Sequence, residues 1–411
     1  MKICIWGNIA SSLEGHTAGG GELQIDLLSR VLANAGHEIV IIDPFNNKEF
    51  TTEEGIKVIP VKGWNKGVKC LRLFTHQIPL LYQTLKEQKA DIYYSQIRDF
   101  RHYLSLKAAR KVGGKFVIQL ASDLDCSTMK LRFKHDYLTS FEGPFWFIRV
   151  FLNELLFPRI VRKADCVLVQ HEGQKATLAK RGIDSEIFDN LIDIDNIPIP
   201  ESTKNNDFCY VGALDRRKGF VQFYNLAVRC PHLNFKVIGE PRDTTGHHYF
   251  EKTKKLKNVK LFGKLSHRET IQEILKSKAL ISTSPMEGFP NVFIEAWSYG
   301  LPVFSLYFDP GNVIKREKLG HVANGCMEEF ASLINSAEIQ SDFSERARIY
   351  VHKNHALSPE KKRKILELFS AILNSGKKNN RKIMLTPFPS LLIIVQKGMI
   401  SKLLMYENLI S

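Results

Sequence analysis

The sequence lacks cysteine pairs, long apolar runs and an export signal. Its seven cysteines stand singly, and the odd total without any Cys-x-x-Cys pair argues against a zinc ribbon and a disulfide framework. The N-terminus leads directly into "KICIWG", which lacks the apolar length of a signal peptide. No apolar run reaches the ~18 residues that a membrane-spanning helix needs. We therefore expect a protein of the reducing cytoplasm.

Acidic residues are scarce relative to basic ones. The 58 Lys and Arg residues exceed the 43 Asp and Glu residues, which gives a formal net charge of +15. Such an excess points to a polyanion, an anionic membrane or a phosphorylated substrate, and charge alone does not choose among them. No recognition motif for nucleic acid accompanies the charge, so we expect no nucleic-acid partner.

Short apolar runs alternate with amphipathic stretches along most of the chain. The runs "ADIYYSQ", "KFVIQLAS" and "ADCVLVQ" are almost continuously apolar, as strands buried on both faces should be. After the Pro-containing polar segment "IDNIPIPESTKNND" the pattern restarts with "DFCYVGAL", "NFKVIGE" and "KALISTS". We predict an α/β protein with two Rossmann-like, doubly wound domains, residues 1–195 and 200–373, facing each other across a cleft. A basic and apolar tail, residues 374–411, follows them.

The stretch "SPMEGFPNVFIEAWSYGLPV" places two acids around a helix start. Glu287 falls in the loop after a predicted strand, Pro290 suits a first helical position, and Glu295 falls inside the helix. A helix start attracts phosphate, and a carboxylate can accept hydrogen bonds from vicinal hydroxyls. We therefore predict a nucleotide sugar here, with its diphosphate between the two acids. A solvated acid beside a helix-face acid is the alternative, whereas the phosphate-binding turn disfavours the acid pair of a glycoside hydrolase.

Two further segments follow predicted strands. In "VGALDRRKGF" the adjacent cations Arg217 and Lys218 could neutralise a diphosphate, although a solvated turn fits as well. In "HTAGGGELQ" the glycines permit close approach of a ligand to a helix that begins at Gly21, although a flexible loop remains an alternative. Its spacing is not G-x-G-x-x-G. We therefore interpret Asp43 as a strand-end residue and not as the ribose acid of a dehydrogenase.

The run "EGFPNVFIEAWSYGLPV" with the following "DPGNVI" resembles the Glu-x7-Glu signature of retaining glycosyltransferases of the GT-B fold, family 4 (group 1). The resemblance covers about residues 1–373. It implies that Glu287 contacts the transferred sugar, that Glu295 contacts the ribose, and that the enzyme needs no metal. The residues expected to bind the donor are Gly288, Phe289, Pro290, Asn291, Glu295, Gly212, Gly20 and Gly21, and those expected in catalysis are Glu287, Lys218, Arg217 and Asp123.

The sequence departs from this family at two positions. Lys218 matches the lysine of the family's Gly-Arg-x-x-x-x-Lys-Gly pattern, but Ala213 stands where its arginine is expected. The family's His-Asp pair reads Ser122-Asp123 here, so that the acid is present without the histidine. We interpret the lone His171 as a structural residue.

We therefore predict transfer of a sugar from a UDP- or GDP-sugar, with retention of configuration, to a glycan or lipid-linked acceptor in bacterial cell-surface polysaccharide synthesis. Residues 129–164 interleave cations with aromatics, which suits peripheral contact with an anionic membrane and equally suits a core helix with a basic rim. The alternatives are a nucleotide-sugar epimerase and a non-catalytic nucleotide-sugar-binding module. The tail suits an anchor, a partner-binding segment or a disordered appendage.

Overall fold

The computed structural model describes residues 1–13, 19–68, 71–128, 131–132, 145–194, 206–336 and 342–376. The tail from residue 377 and much of the basic and aromatic segment, residues 129–130 and 133–144, lie outside this description. So do residues 16–18 of the glycine-containing loop. Residues 1–374 form one compact unit, to which the account below refers.

The first domain is built on an eight-stranded sheet. Its strands lie in the order β3-β4-β2-β1-β5-β6-β7-β8, and all neighbouring pairs are parallel except β3 and β4. The strands are β1 Lys2–Trp6, β2 Glu38–Asp43, β3 Phe50–Thr51, β4 Lys57–Pro60, β5 Ile92–Gln96, β6 Lys115–Gln119, β7 Cys166–Val169 and β8 Glu186–Ile187. The helices are α1 Ala10–Leu13, α2 Gly20–Asn34, α3 Ile78–Glu87, α4 His102–Val112, α5 Asp123–Cys126, α6 Phe145–Lys163 and α7 Glu172–Ala179, with a π-helical turn, Leu73–Gln77, leading into α3.

The second domain is built on a six-stranded parallel sheet in the order β11-β10-β9-β12-β13-β14. Its strands are β9 Phe208–Val211, β10 Phe235–Ile238, β11 Val259–Gly263, β12 Ala279–Ser282, β13 Val303–Ser305 and β14 Gly320–Val322. The helices after β9 are α8 Phe220–Arg229, α9 Thr244–Thr253, α10 His267–Leu275, α11 Asn291–Ser298, α12 Val313–Arg316, α13 Met327–Asn335, α14 Phe343–Asn354 and α15 Pro359–Asn374, with a 3-10 turn, Pro310–Asn312, before α12. The predicted pair of Rossmann-like α/β domains is confirmed.

The strand orders create one switch point in each sheet. In the first sheet the order reverses between β1 and β5, and in the second it reverses between β9 and β12. Ligands of open α/β sheets bind outside the carboxyl ends of the strands at such points. The loops that follow these four strands are therefore where a site is expected.

The last helix does not belong to the core of the second domain. Ile365, Phe369 and Ile372 of α15 are buried in the hydrophobic cluster that contains β1 and β5, and the rings of Phe369 and Tyr94 lie 6.3 Å apart. The sequence prediction assigned this segment to the second domain, within residues 200–373. The apolar face of α15 is instead buried against the first domain, so the chain returns to that domain after α14.

The chain passes between the domains twice, near Ile192 and near residues 355–357, and these two segments are hydrogen-bonded to each other. The Ile192 N–H donates to the carbonyl of His355, and the Leu357 N–H donates to the carbonyl of Ile192, both at 3.0 Å. In the described ranges, no helix is long and apolar enough to cross a membrane.

Candidate active site

The loop between β12 and α11 carries the first predicted acid. Helix α11 begins at Asn291, so that Pro290 is its N-cap residue, with φ −66° and ψ 124°, and not its first helical residue. Proline has no side-chain oxygen, and within the described residues no side chain caps this helix. The N-terminus of α11 therefore keeps main-chain N–H groups that can face an anion.

Lys218 and Glu287 meet at the switch point of the second sheet. Lys218 follows β9, Glu287 follows β12, and Nζ lies 2.5 Å from Oε1. The Lys218 carbonyl accepts hydrogen bonds from the Tyr210 hydroxyl at 3.0 Å and from Thr283 Oγ1 at 3.2 Å. Both flanking strands therefore hold this turn, and the predicted cation and acid are brought together. Burial raises the pKa of Tyr210, and the negative charges of Asp215 and Glu287 raise it further, so this hydroxyl stays protonated.

Two glycines allow the Lys218 turn to pack closely. Gly219 has φ +69°, and a Cβ there would lie 2.0 Å from the Thr283 carbonyl oxygen, so only glycine fits. Gly212 lies beside Lys218, because a Cβ built on it would be 3.8 Å from the lysine Cγ. Gly212, which was predicted to bind the donor, therefore lies next to the side chain of Lys218.

Arg217 has a different partner from Lys218. Its guanidinium donates to Asp215 Oδ2 at 2.9 and 3.2 Å, and its side chain is 50% exposed. Asp215 also accepts the Lys218 N–H at 2.9 Å. This acid, which the sequence interpretation did not single out, therefore shapes the turn and neutralises the arginine.

Asp123 brings the first domain to the same loop. Its N–H donates to the carbonyl of Glu287 at 3.0 Å. Its Oδ1 accepts hydrogen bonds from His171 Nε2 at 2.9 Å and from Gln174 Nε2 at 3.0 Å. Ser122, in place of the family's histidine, accepts the Leu124 N–H and caps α5. The sequence interpretation missed the contribution of His171, whose only signal was its place directly after β7.

The main chain from Gly288 to Pro290 is pressed against the first domain. A Cβ on Gly288 would lie 2.0 Å from Gln170 Oε1 and 2.1 Å from the Ala121 carbonyl oxygen. The Phe289 N–H donates to Gln170 Oε1 at 2.9 Å, and Pro290 has no N–H. The resemblance implied donor contacts from the amides around these residues, but here the Phe289 amide binds a glutamine of the first domain.

The glycine-containing loop of the first domain reaches the start of α11. Helix α2 begins at Gly20, one residue before the predicted Gly21, and Asn291 Nδ2 donates to the Gly20 carbonyl at 2.8 Å. Asn190 Nδ2 donates to Asn291 Oδ1 at 2.8 Å. A Cβ on Gly21 would lie 3.2 Å from Ile97, directly after β5. Two helix N-termini, those of α2 and α11, therefore come together, and both favour negative charge.

Glu295 lies apart from this contact, on the face of α11 that borders a cavity. Its side chain is 11% exposed, and Oε1 lies 2.9 Å from His267 Nε2. The hydrogen bond with Glu295 raises the pKa of His267. The cavity measures about 520 Å³, and both residues line it together with Leu23, Leu27, Asn291 and Tyr299. A carboxylate and an imidazole beside such a space can bind hydroxyls of a ribose.

Asp43, by contrast, binds main-chain groups of its own domain. Its buried carboxylate accepts the N–H groups of Ile9 and Ala10 at 3.0 and 2.9 Å, as expected of a strand-end residue. Across the described part of the chain, no group of three or more His, Cys, Asp or Glu residues could hold a metal ion. Metal independence stays a prediction.

Two family models match the chain. Residues 18–196 match Glycosyltransferase Family 4, and residues 193–354 match glycosyl transferases group 1. The two matches adjoin at the predicted linker. No curated protein sequence is significantly similar to the chain.

Solved structures share the fold at low sequence identity. Sucrose-phosphate synthase from Thermosynechococcus elongatus is 14% identical with a TM-score of 0.70, and the alignment covers 90% of this chain and 98% of that one. Anabaena HepE in complex with UDP-glucose is 15% identical with a TM-score of 0.66, covering 90% and 100%. S. aureus TarM, in complex with fondaparinux, alpha-GlcNAc-glycerol and UDP, is 18% identical with a TM-score of 0.54, covering 80% and 66%. The expected GT-B fold is confirmed.

Proposed function

Because the chain belongs to the glycosyltransferases of the group 1, family 4 type, we propose that it transfers a sugar from a UDP- or GDP-sugar to a hydroxyl acceptor with retention of configuration. The observation that carries this proposal is the contact between Lys218 Nζ and Glu287 Oε1, 2.5 Å apart, at the switch point of the second sheet. A nucleotide sugar needs a cation for its phosphate and an acceptor for its sugar hydroxyls at adjacent points. This pair supplies both.

The roles of the residues follow from charge and position. Lys218 and the converging N-termini of α2 and α11 stabilise the departing diphosphate, where negative charge develops. Glu287 binds hydroxyls of the transferred sugar, and Glu295 binds the ribose from the cavity that it lines. The second domain would thus hold the donor, while the first domain receives the acceptor.

The relatives support the choice of ligands at the level of the fold. HepE was solved with UDP-glucose, and TarM was solved with UDP and alpha-GlcNAc-glycerol. A uridine donor and a glycan acceptor are therefore the first pair to test. For the acceptor we propose a growing cell-surface polysaccharide on a lipid carrier.

The first experiment measures release of nucleoside diphosphate from a panel of UDP- and GDP-sugars, with and without a lipid extract. Wild type is compared with Glu287→Ala and with the control Glu328→Ala, whose carboxylate is 70% exposed on α13. We expect release that depends on the extract and on Glu287 but not on Glu328. The anomeric configuration of the product, read by NMR, tests retention.

Other outcomes separate the alternatives. Conversion of the donor sugar without release of diphosphate would identify an epimerase. Nucleotide binding without release across the whole panel would identify a binding module. Either result would contradict the proposed transfer.

We also propose peripheral contact with an anionic membrane at its cytoplasmic face. The support is the net charge of +15 and the basic, aromatic composition of residues 129–164. Co-sedimentation with vesicles of anionic lipid, compared with zwitterionic vesicles, tests it. If the protein bound neither kind of vesicle, or bound both kinds equally, this part of the proposal would be overturned.

A further inference from the structure

Within the described residues, only one of the two carboxylate oxygens of Asp123 accepts hydrogen bonds. Oδ1 accepts two hydrogen bonds, from His171 and Gln174, whereas no group in the described residues donates to Oδ2. The side chain is 36% exposed, and the main chain of Asp123 is bonded to that of Glu287. The first domain thus presents an unpaired carboxylate oxygen beside the acid that faces the donor sugar.

His171 is held between the two domains. Its side chain is 6% exposed, and on one side its Nε2 reaches Asp123. On the other side lies Gly311 of the second domain, with φ +57°, where a Cβ would be 3.1 Å from the Cβ of His171 and 3.2 Å from its Nδ1. A side chain at residue 311 would crowd the imidazole, which would have to shift by a few tenths of an ångström.

The orientation of the imidazole is set by Asp123. Nδ1 of His171 is buried without a hydrogen-bond partner within the described residues, so it cannot fix the ring. The hydrogen bond to a carboxylate requires the proton on Nε2. The charge-assisted hydrogen bond from Nε2 to Asp123 is therefore the contact that orients this ring.

We propose that His171 is a positioning residue: with Gln174 it fixes Oδ1 of Asp123, so that Oδ2 accepts a hydrogen bond from a hydroxyl of the transferred sugar. The packing of Gly311 on the imidazole makes this arrangement depend on contact between the domains. The inference rests on the proposed function, and it adds a first-domain contact to a sugar site that otherwise belongs to the second domain. A charged acceptor favours a sugar that carries the hydroxyl over one that lacks it.

The competing interpretation is that the cluster only fastens α5 to α7 within the first domain. In that case replacing His171 would lower the free energy of unfolding without specifically weakening the binding of the sugar. The two roles are separated by the sugar increment, defined as the Kd of UDP divided by the Kd of UDP-glucose. GDP and GDP-mannose give the same ratio for a guanosine donor.

Calorimetry on the full chain would measure this increment for wild type, His171→Ala, His171→Gln and Asp123→Ala. We expect His171→Ala and Asp123→Ala to lower the increment about tenfold, the effect of a single charge-assisted hydrogen bond, with little change in the Kd of UDP. His171→Gln should restore most of it, since the glutamine amide can donate to Oδ1 from a similar distance. The double variant that combines His171→Ala with Asp123→Ala should lose no more of the increment than either single variant.

The contrary results are distinct. An unchanged increment in His171→Ala with intact UDP binding, or a His171→Gln variant no better than alanine, would overturn the inference alone. If His171→Ala fails to fold, an unchanged increment in Asp123→Ala would overturn it. Wild type that binds neither nucleotide nor nucleotide sugar would overturn the proposed function, and the inference with it.

Discussion

The second-domain half of the site is built largely from one stretch of sequence, whereas the first-domain half is assembled from distant strand ends. Glu287, Asn291 and Glu295 belong to one loop and the helix that follows it. Asp123 and Gln170, by contrast, follow β6 and β7, and both contact the loop of Glu287 only in the folded chain. A local sequence motif can therefore predict one half of a cleft, whereas the other half cannot be recognised until the chain is folded.

The largest effect is expected where the local half provides its cation. Lys218→Ala should lower the rate of nucleoside-diphosphate release about 10²–10³-fold, because it removes a donor aimed at developing negative charge. Arg217→Ala should cost less than about tenfold, since its guanidinium is half exposed and already paired with Asp215. Steady-state release with the donor found by the panel measures both.

Arg217 and Lys218 are adjacent in the same turn, so their alanine variants can be compared directly. Lys254→Ala, an exposed lysine paired with Glu251, provides the control for loss of a positive charge. Equal losses for Arg217 and Lys218 would show that the ion pair with Asp215 opens during the reaction, and would give the arginine the role that the sequence analysis assigned to it.

The contact between the halves is tested by Gly288→Ala. A Cβ there would overlap Gln170 Oε1 and the Ala121 carbonyl, so the loop would have to withdraw from the first domain. A misplacement of about 1 Å in a reacting site can cost about 10²-fold, and we expect a loss of that order in kcat. Gly7→Ala, whose Cβ would make ordinary contacts at 3.7 and 3.8 Å, is the matched control. Wild-type activity in Gly288→Ala would mean that transfer does not need this contact.

The features that could be predicted from the sequence are those carried by short contiguous segments. Continuous apolar strands and the Pro-containing linker predicted two parallel sheets, because burial on both faces leaves a local signature. The segments around Glu287 and Lys218 were likewise predicted to follow strands of one sheet, and the structure brings the two side chains together. Both are properties of short segments.

Partnerships between residues far apart in the sequence could not be predicted in this way. His171 was interpreted as structural, and nothing near it in the sequence indicates that Asp123, 48 residues earlier, is its partner. The return of α15 to the first domain also escaped prediction, because an amphipathic helix does not specify which core its apolar face joins. Such contacts depend on how the chain folds over long distances.

The smallest effect is expected at the Glu295 end, where His267 of α10 extends the second-domain half beyond its contiguous stretch. Its raised pKa means that the protonated imidazole stabilises the folded state. This contribution should be fully present below the unfolded value of about 6.5 and lost as the pH rises through the higher folded value. Because the His267 side chain is 57% exposed, solvent screening should keep the contribution below about 1 kcal/mol.

The difference in Tm between wild type and His267→Gln at pH 5.5 and at pH 8.5 measures this effect. We expect the larger difference at the lower pH, where wild type carries the charged pair. His232→Gln, at an exposed histidine bonded to the uncharged side chain of Asn335, provides the control. If the His267→Gln difference were the same at both pH values, the pair would be a neutral hydrogen bond. Glu295 would then have a neutral imidazole beside it, and no positive charge from α10 would extend the second-domain half of the site.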